Sequence, residues 1–384
     1  MKNHLKTTIL LSLFMFCLIC SADKAISATP PLVPFNNTGD LFVLDHGSDS
    51  ILRITPAGDI TIEVTTAEIT AVTGELNVYF NDSGIAFDAA GAMYFAESES
   101  NSIMKKATDG TLAVLTSEND MITVTGEIEA DPEGIAFGSD GFLYVNEHES
   151  NSVLRINPST GAVTVLVDRD TLILLLPTPP PPDTARVAMQ SSIVGAEGGM
   201  IYSASDGIPD AIFAITSGGV PSLLANGTPP FNDLDVFMTR AQNGDLIISD
   251  NSGADTIHRV TPAGVVTTFI SKAELDAIVA PNSVDLEGGI AFDSSGNFYV
   301  AEENTDSILK FDSTLNGSIW IREAAIQAVT GVIPDLDGGI AFAPGVPPAI
   351  PTDVPTINQW GMIILSLLMA GAALWIMRRK QTAA

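Results

Sequence analysis

A glycine followed three positions later by a large apolar residue recurs along this chain at intervals of 45 to 58 residues. The apolar residue is Tyr, Phe or Ile, and four of the chain's five tyrosines stand at this one position. A period of about fifty residues indicates an array of one structural unit, so the 384 residues are not divided into two ordinary domains. The six copies are placed by Gly39, Gly91, Gly141, Gly199, Gly244 and Gly296.

Each copy contains short apolar segments separated by turn residues. In 286–311, "LEGGIAFDSSGNFYVAEENTDSILKF", three strands are predicted at "GIAFD", "NFYVAE" and "SILKF". A fourth strand, such as "VVTTFI" or "AVTVLV", follows a "PAG" or "STG" turn. Four strands per repeat are typical of β-propeller blades, so the six copies predict an all-β, six-bladed propeller over residues 29–345.

The two ends of the array complement each other. The first copy begins at its second strand, "GDLFVLD", and the "GGIAF" at 338–342 has no second strand after it. We therefore expect the C-terminal strand to complete the first blade and close the ring, which removes exposed sheet edges. Segments such as "TTAEITAVTG" predict short capped helices between blades. The run "TLILLLPTPPPP" occupies the same place in the repeat and is interpreted as a connector.

Residues 1–28 have the pattern of a secretory signal peptide. Lys2 and Lys6 precede the apolar run "TTILLSLFMFCLIC", and small residues follow it. The pattern implies Sec export and cleavage by signal peptidase. A lipoprotein signal acylated at Cys17 or Cys20 is the alternative, but a large apolar residue precedes each cysteine. The chain has no other cysteines, so the mature protein is expected to lack disulfides.

The C-terminal end predicts a transmembrane helix. Residues 360–377, "WGMIILSLLMAGAALWIM", carry no charge, and Arg378, Arg379 and Lys380 follow as a basic stop on the cytoplasmic side. A soluble core helix is the alternative. It is disfavoured because the run is apolar on all sides and follows a proline-rich linker at 346–353.

The residues that lead into this helix resemble a known sorting signal. "VPTINQWG" is similar to the IPTLxxWG C-terminal signal of Gram-negative bacteria at Pro355, Thr356, Trp360 and Gly361, with conservative replacements at two further positions. For residues 354–380 the resemblance implies recognition by an exosortase-type transpeptidase. It also implies anchoring in the inner membrane, with the propeller facing the periplasm, and processing towards the cell surface. It implies nothing about what the propeller does.

The repeat itself resembles the NHL and SMP-30/gluconolactonase-like group of six-bladed propellers. The similar pattern is "GIAF", a glycine, "YVAE" and "S(I/V)L(K/R)(I/F)", and it extends over nearly all of 39–344. This group contains lactonases, other enzymes and pure binding scaffolds, so the resemblance implies a fold without choosing an activity. The chain contains no GxSxG, HExxH, P-loop or EF-hand spacing.

The formal net charge is −29, which argues against partners such as nucleic acid or an anionic membrane surface. Two rows of acidic positions recur. One ends the second strand of each copy, at Asp45, Glu97, Glu147, Ser205, Asp250 and Glu302. The other precedes the first strand, at Asp82, Glu133, Asp235, Glu287 and Asp337.

Both rows are expected on one face of the propeller, at a mouth of its channel. For the first row we favour turn capping, which Asp and Glu side chains perform well. The second row predicts a Ca²⁺ site, because converging carboxylates repel unless a hard cation joins them. Turn capping stays open for this row too. The SMP-30 resemblance implies a channel metal here, with Glu133 and Glu287 closest to the group's pattern.

His46 and His148 occupy equivalent positions after the first acidic row. Beside a metal they could relay protons in a lactonase-type hydrolase; as surface residues they would have no such role. We favour a scaffold that binds a ligand or protein at the channel face, because an active site should break the symmetry of the repeat. The clearest departures from this symmetry are Ser205 and the proline-rich insert at 177–182. They remove reactive side chains from the repeat and add none. A metal-dependent lactonase is the alternative function.

Overall fold

The computed structural model describes residues 39–177, 186–190, 192–227, 231, 233–234, 237–251 and 253–344. The expected signal peptide, proline-rich linker and C-terminal helix lie outside these residues, as does the greater part of the 177–182 insert. Among the described residues, no helix has the length and apolar character needed to cross a bilayer.

The described residues form twenty-four strands in six four-stranded antiparallel sheets, which confirms the predicted blades. Blades 1 and 2 contain β24 (Ile340–Phe342), β1 (Leu41–Asp45), β2 (Ser50–Ile54), β3 (Ile60–Val64), and β4 (Ile85–Phe87), β5 (Met93–Glu97), β6 (Ser102–Lys106), β7 (Leu112–Thr116). Blades 3 and 4 contain β8 (Pro132–Phe137), β9 (Leu143–Glu147), β10 (Ser152–Ile156), β11 (Val163–Val167), and β12 (Ile193–Ala196), β13 (Met200–Ser205), β14 (Ala211–Thr216), β15 (Pro221–Asn226). Blades 5 and 6 contain β16 (Met238–Arg240), β17 (Leu246–Ile248), β18 (Ile257–Val260), β19 (Val266–Ile270), and β20 (Ile290–Phe292), β21 (Phe298–Glu302), β22 (Ser307–Phe311), β23 (Gly317–Ile321).

The first strand of each blade, in the order just given, lies at the centre of the ring. Each of these inner strands contacts the inner strands of both neighbouring blades, so the ring closes without a gap. Blade 1 is completed by β24, which pairs with β1 in the register Leu41↔Phe342 and Val43↔Ile340. The C-terminal strand therefore closes the propeller as the sequence predicts.

In blades 2 to 6 the recurrent glycine of the sequence repeat lies in the turn between the first and second strands, and in blade 1 Gly39 lies just before β1. Gly91 and Gly296 have φ values of +90° and +83°, and the other four members also have positive φ. An L side chain is disfavoured in this left-handed region, so the turn requires glycine at every copy. Here the periodicity of the sequence is a direct consequence of backbone geometry.

The turn between the second and third strands also contains a left-handed residue. In five blades this residue is Asp or Asn, the side-chain types that tolerate this conformation best after glycine. Its φ values lie between 38° and 52°. The five residues are Asp49, Asn101, Asn151, Asp255 and Asp306.

Short helices follow the fourth strands, as predicted. They are α1 (Thr66–Thr73), α2 (Glu118–Thr125), α3 (Arg169–Ile173), α4 (Lys272–Val279) and α5 (Glu323–Thr330). The first begins at a capping box, in which Thr65 and Glu68 exchange side-chain and backbone hydrogen bonds. The helix α3 occupies the beginning of the "TLILLLPTPPPP" connector.

Buried side chains pack mainly between neighbouring blades. Phe42 of blade 1 contacts Phe87 of blade 2 with ring centroids 5.0 Å apart, and Tyr94 contacts Phe137 across the next interface at 4.9 Å. Edge-on aromatic pairs of this kind stabilise an interface beyond their area burial, by about 0.5–1.5 kcal/mol each. The core is thus distributed around the ring.

Candidate binding site at the channel mouth

The connector that enters each inner strand is fixed to the turn after the second strand. In blade 1 the His46 N–H donates to the Asp335 carbonyl at 3.0 Å, and in blade 3 the His148 N–H donates to Asp131 at 2.9 Å. The equivalent bond in blade 6 joins Glu303 to Asp285. These bonds bring two distant segments of sequence side by side at one mouth of the channel.

The first acidic row holds this arrangement in place. Glu97 accepts hydrogen bonds from the backbone N–H groups of Tyr79, Glu99 and Ser100. Corresponding bonds are made by Glu147 and Glu302, while Asp45 accepts from Asp335, and Ser205 accepts from Ala188 at 3.0 Å. These side chains cap turns and hold the connectors in place, which is the structural role favoured from the sequence.

Blade 1 presents the first cluster, made of His46, Asp335 and Asp337. The His46 Nδ1 atom lies 2.9 Å from Asp337 Oδ2 and 3.8 Å from Asp335 Oδ2. The hydrogen bond to Asp337 raises the pKa of His46 to about 9, although partial burial opposes the shift. His46 is therefore an imidazolium at neutral pH. The second oxygen of Asp337, Oδ1, is buried and has no hydrogen-bond partner among the described residues.

Blade 3 repeats this arrangement with Asp131, Glu133 and His148. The His148 Nδ1 atom lies 3.3 Å from both Asp131 Oδ2 and Glu133 Oε1. Hydrogen bonds to the two carboxylates raise the pKa of His148 to about 10. Burial raises the pKa of Glu133 to about 8, with His148 opposing that shift. Glu133 Oε2 is a second buried oxygen that has no partner among the described residues.

Blade 6 presents the third cluster, made of Asp285, Glu287 and Glu303, in which a carboxylate replaces the histidine. One oxygen from each side chain lies within 4.8 Å of the others. Burial, followed by the hydrogen bond with Glu287, raises the pKa of Glu303 to about 8. Asn251 donates to Glu287 at 2.8 Å, and no histidine belongs to this cluster. Burial raises the pKa of Asp285, and the nearby charge of Lys272 opposes that shift.

Asp82 lies between these clusters on the connector of blade 2. Burial raises its pKa to about 7, with further contributions from Asp337, Glu287 and Asp131. It also lines a mouth cavity of about 210 Å³ together with Asn81, Asp233, Asn251 and Glu287. Four of the five residues of the second acidic row are thus placed at this mouth, in separate blades. The fifth, Asp235, lies outside the described residues.

The sequence prediction missed one member of each cluster on the connector. Asp335, Asp131 and Asp285 each stand two positions before a predicted member of the second row, in the segments "DLDG", "DPEG" and "DLEG". Glu303, which replaces histidine in blade 6, was also missed. The recurrent Asp-x-(Asp/Glu) spacing was a visible signal for the first three.

The backbones of neighbouring blades approach one another closely at the mouth, at the glycines that precede "IAF" in each repeat. The Gly339 N–H donates to Ser83 of the next blade, Gly84 donates to Glu133, and Gly289 donates to Gly338. A Cβ atom on Gly289 would lie 2.4 Å from the backbone nitrogen of Ile340. Because the backbones of neighbouring blades meet here, glycine is required at these positions for space.

Exposed apolar side chains stand in the connectors around the acidic mouth. Leu76 and Ile128 are 88% and 89% exposed, and Ile333 is 62% exposed. Each lies two positions beyond the glycine that ends a helix. The connectors on this face therefore carry isolated exposed apolar residues beside the carboxylates.

The comparison with known protein families concerns the C-terminal segment. It matches the IPTL-CTERM motif over residues 354–379. The chain carries an IPTL-CTERM motif. This confirms the resemblance stated from Pro355, Thr356, Trp360 and Gly361, and it covers only the end of the chain. No curated protein sequence matches this chain.

Several solved structures are similar to this chain over most of its length. A nidogen/laminin complex aligns with a TM-score of 0.54 and 14% identity, over 79% of this chain and 99% of that one. Virginiamycin B lyase from Staphylococcus aureus aligns with a TM-score of 0.50 and 18% identity, over 80% and 87%. A gluconolactonase from Xanthomonas campestris aligns at 0.42 and 16%, over 66% and 83%. At such identities the likeness to the first two structures shows the fold alone.

Proposed function

We propose that this IPTL-CTERM protein is an exported cell-envelope propeller that binds a divalent cation, and through it a ligand or protein partner, at its acidic mouth. The observation that carries the proposal is the cluster of Asp285, Glu287 and Glu303 in blade 6. Its three oxygens lie within 4.8 Å of one another, and no histidine is among the grouped side chains. Oxygens bound to one Ca²⁺ at 2.3–2.6 Å are at most about 5 Å apart, so the donor set fits this ion.

The other two clusters are less suited to a metal at neutral pH. In each of them a protonated histidine already supplies the positive charge, with raised pKa values of about 9 for His46 and about 10 for His148. Calcium would have to displace this imidazolium. Glu133 and Asp337 are therefore weaker candidates than Glu287, which was predicted alongside them.

The same charges bear on the lactonase alternative. A general base must be unprotonated at the working pH, and His46 and His148 are held as ion-paired imidazoliums. This favours the binding scaffold over hydrolysis. The exposed Leu76, Ile128 and Ile333 around the mouth add apolar area for a partner.

Export and sorting rest on the two ends of the chain. In this proposal the Sec machinery exports the chain and signal peptidase removes residues 1–28. An exosortase-type enzyme then recognises the segment at 354–379 that matches the IPTL-CTERM motif. The apolar run at 360–377 would hold the protein in the inner membrane with the propeller in the periplasm, before any processing.

Thermal unfolding of the full-length protein in chelator, Ca²⁺, Mg²⁺ and NaCl of matched ionic strength tests the cation site. A hundredfold excess of Ca²⁺ over its dissociation constant should stabilise the fold by about 2.7 kcal/mol. Glu287→Gln should reduce this stabilisation. Glu197 is exposed in a turn of blade 4 on the opposite face, so Glu197→Gln should leave the stabilisation intact. Equal shifts in all salts would indicate screening alone and would contradict the proposal.

A further inference from the structure

The inner strands surround a central channel with a volume of about 440 Å³. In each inner strand, the residue that pairs with the position two after the recurrent glycine lies at the channel end opposite the acidic mouth. In four blades this residue is phenylalanine, but blade 4 has glycine and blade 5 has arginine. In blade order these residues are Phe342, Phe87, Phe137, Gly195, Arg240 and Phe292.

Arg240 lines the channel and is partly buried, yet its side chain has no partner; the two other unpaired arginines of the described residues, Arg186 and Arg322, are exposed. Within the described part of the chain it makes no hydrogen bond or ion pair, and its buried Nε atom is unsatisfied. By contrast, Arg53, Arg155 and Arg259 each pair with an aspartate of their own blade. A buried donor that lacks a partner destabilises the fold, and a charged donor does so more strongly. A chain with a net charge of −29 thus leaves a cation unpaired in its channel.

The local sequence explains why no aspartate reaches Arg240. In blades 2 and 6 the residue after the phenylalanine is an aspartate, Asp88 or Asp293, which begins the turn. The turn after Arg240 begins with Ala241. The next carboxylate of blade 5, Asp245, is already occupied by Arg259 and Asn243.

Most other carboxylates at this end are also engaged, and the exposed Glu197 of blade 4 forms no ion pair with Arg240. Asp40 pairs with Arg53, and Asp140 accepts from the Tyr144 hydroxyl and Arg155. Asp88 and Asp293 accept from turn N–H groups and from tyrosine hydroxyls of their own blades. The acidic mouth lies at the other end of the inner strand. Because the strand extends over three residues, the mouth is about 10 Å from Arg240. The guanidinium is therefore available to an incoming anion.

We infer that the channel binds a small organic anion with an apolar body. Its carboxylate or similar group would pair with Arg240, whose planar guanidinium suits bidentate recognition of such groups. Its apolar part would contact the rings and small aliphatic residues that line the channel, such as Phe292 and Ala291. The volume lies within the range typical of small-molecule sites, about 300–1,000 Å³.

This site is distinct from the cation site of the proposed function, and the two can be tested separately. The probes are naphthalene-2-carboxylate and its neutral amide, titrated calorimetrically into the full-length protein in detergent micelles, with protein-free micelles as the blank. We expect the carboxylate to bind at one site per chain and more tightly than the amide. Binding should be unchanged in Glu287→Gln.

Two variants remove the guanidinium. Arg240→Phe restores the residue that four other blades have, so the propeller should keep its fold, and Arg240→Gln keeps a polar side chain. Both should weaken carboxylate binding at least tenfold with little change for the amide. Arg169→Gln, an exposed residue on α3, removes the same charge elsewhere and should have no effect. Absence of carboxylate binding to the parent protein, or equal affinity in parent and Arg240→Phe, would overturn the inference.

Discussion

The His46 Nδ1 atom lies 2.9 Å from Asp337 Oδ2, although the two residues are separated by 291 positions in the chain. His46 follows β1, and Asp337 leads into β24, so the pair joins the first and last segments of the propeller within one blade. The backbone of His46 adds a hydrogen bond to Asp335. The acidic mouth and the closure of the ring are therefore built from the same residues.

Closure by β24 predicts a strong effect of truncation. A chain that ends at Leu336 lacks β24 and exposes the edges of β1 and of the inner strands on either side. It should unfold without a cooperative transition, whereas a chain that ends at Gly345 should unfold cooperatively. Thermal unfolding followed by circular dichroism distinguishes them. Identical melting curves for the two chains would be incompatible with a ring closed by this strand.

The close approach of neighbouring blades predicts the cost of a methyl group at the mouth. In Gly289→Ala the new Cβ would lie 2.4 Å from the Ile340 nitrogen, so the backbones must separate. We expect a loss of roughly 1–3 kcal/mol in the free energy of unfolding, measured by denaturant titration. Gly218→Ala is the control, because its nearest atom would be 3.8 Å away. A similar effect of both substitutions would argue against a close backbone contact between blades at Gly289.

The fold could be predicted almost completely because its constraints act within each repeat. The left-handed turn requires glycine at Gly91 and Gly296, so the requirement is written into the sequence at every copy. The alternation of apolar and turn residues then gives four strands per copy. The closing strand followed from counting the segments at the two ends.

The site was only partly predictable because its clusters depend on backbone pairing between connectors and turns. Glu133, Glu287 and Asp337 were expected at one mouth, and the structure places them there in three blades. Their partners on the connectors, such as Asp285, can be recognised as members of the clusters only when that backbone pairing is known. Arg240 was missed because a single arginine in a predicted strand gives no sign of a site. Its position becomes informative only when the six inner strands are seen to surround a channel.

The ion pairs of His148 predict a loss of stability at alkaline pH. Its pKa is raised from 6.5 to about 10 in the folded state, so its contribution is complete below pH 6.5 and is lost as the pH rises through 10. The difference in unfolding free energy between the parent and His148→Gln should therefore shrink from pH 7 to pH 10. Denaturant titrations at both values measure it. An imidazole pKa near 6.5 by NMR would contradict the ion pairs.

The C-terminal segment predicts a defect in sorting when its basic end is neutralised. Replacement of Arg378, Arg379 and Lys380 by glutamine should weaken both the stop signal and the orientation of the helix. We expect less membrane-retained protein and less processing in a host with an exosortase, measured by fractionation and immunoblotting. Arg169→Gln, in the propeller, serves as the control. Unchanged retention and processing of the triple variant would oppose the sorting function.

The raised pKa of Glu303 predicts that calcium binding depends on pH. Burial and the hydrogen bond with Glu287 raise this pKa to about 8, so Glu303 is protonated at pH 6 and must lose its proton to bind Ca²⁺. Below pH 8 the affinity should therefore rise by up to roughly tenfold per pH unit, and levelling should follow above it.

Calorimetry of the full-length protein between pH 6 and pH 9 measures this dependence, and buffers of different ionisation enthalpy report the released proton. Glu303→Gln should bind Ca²⁺ more weakly and with little dependence on pH, since the titrating ligand is gone. Glu197→Gln should behave like the parent protein because it lies on the opposite face. An affinity that is constant from pH 6 to pH 8 in the parent would place the calcium elsewhere than the blade 6 cluster.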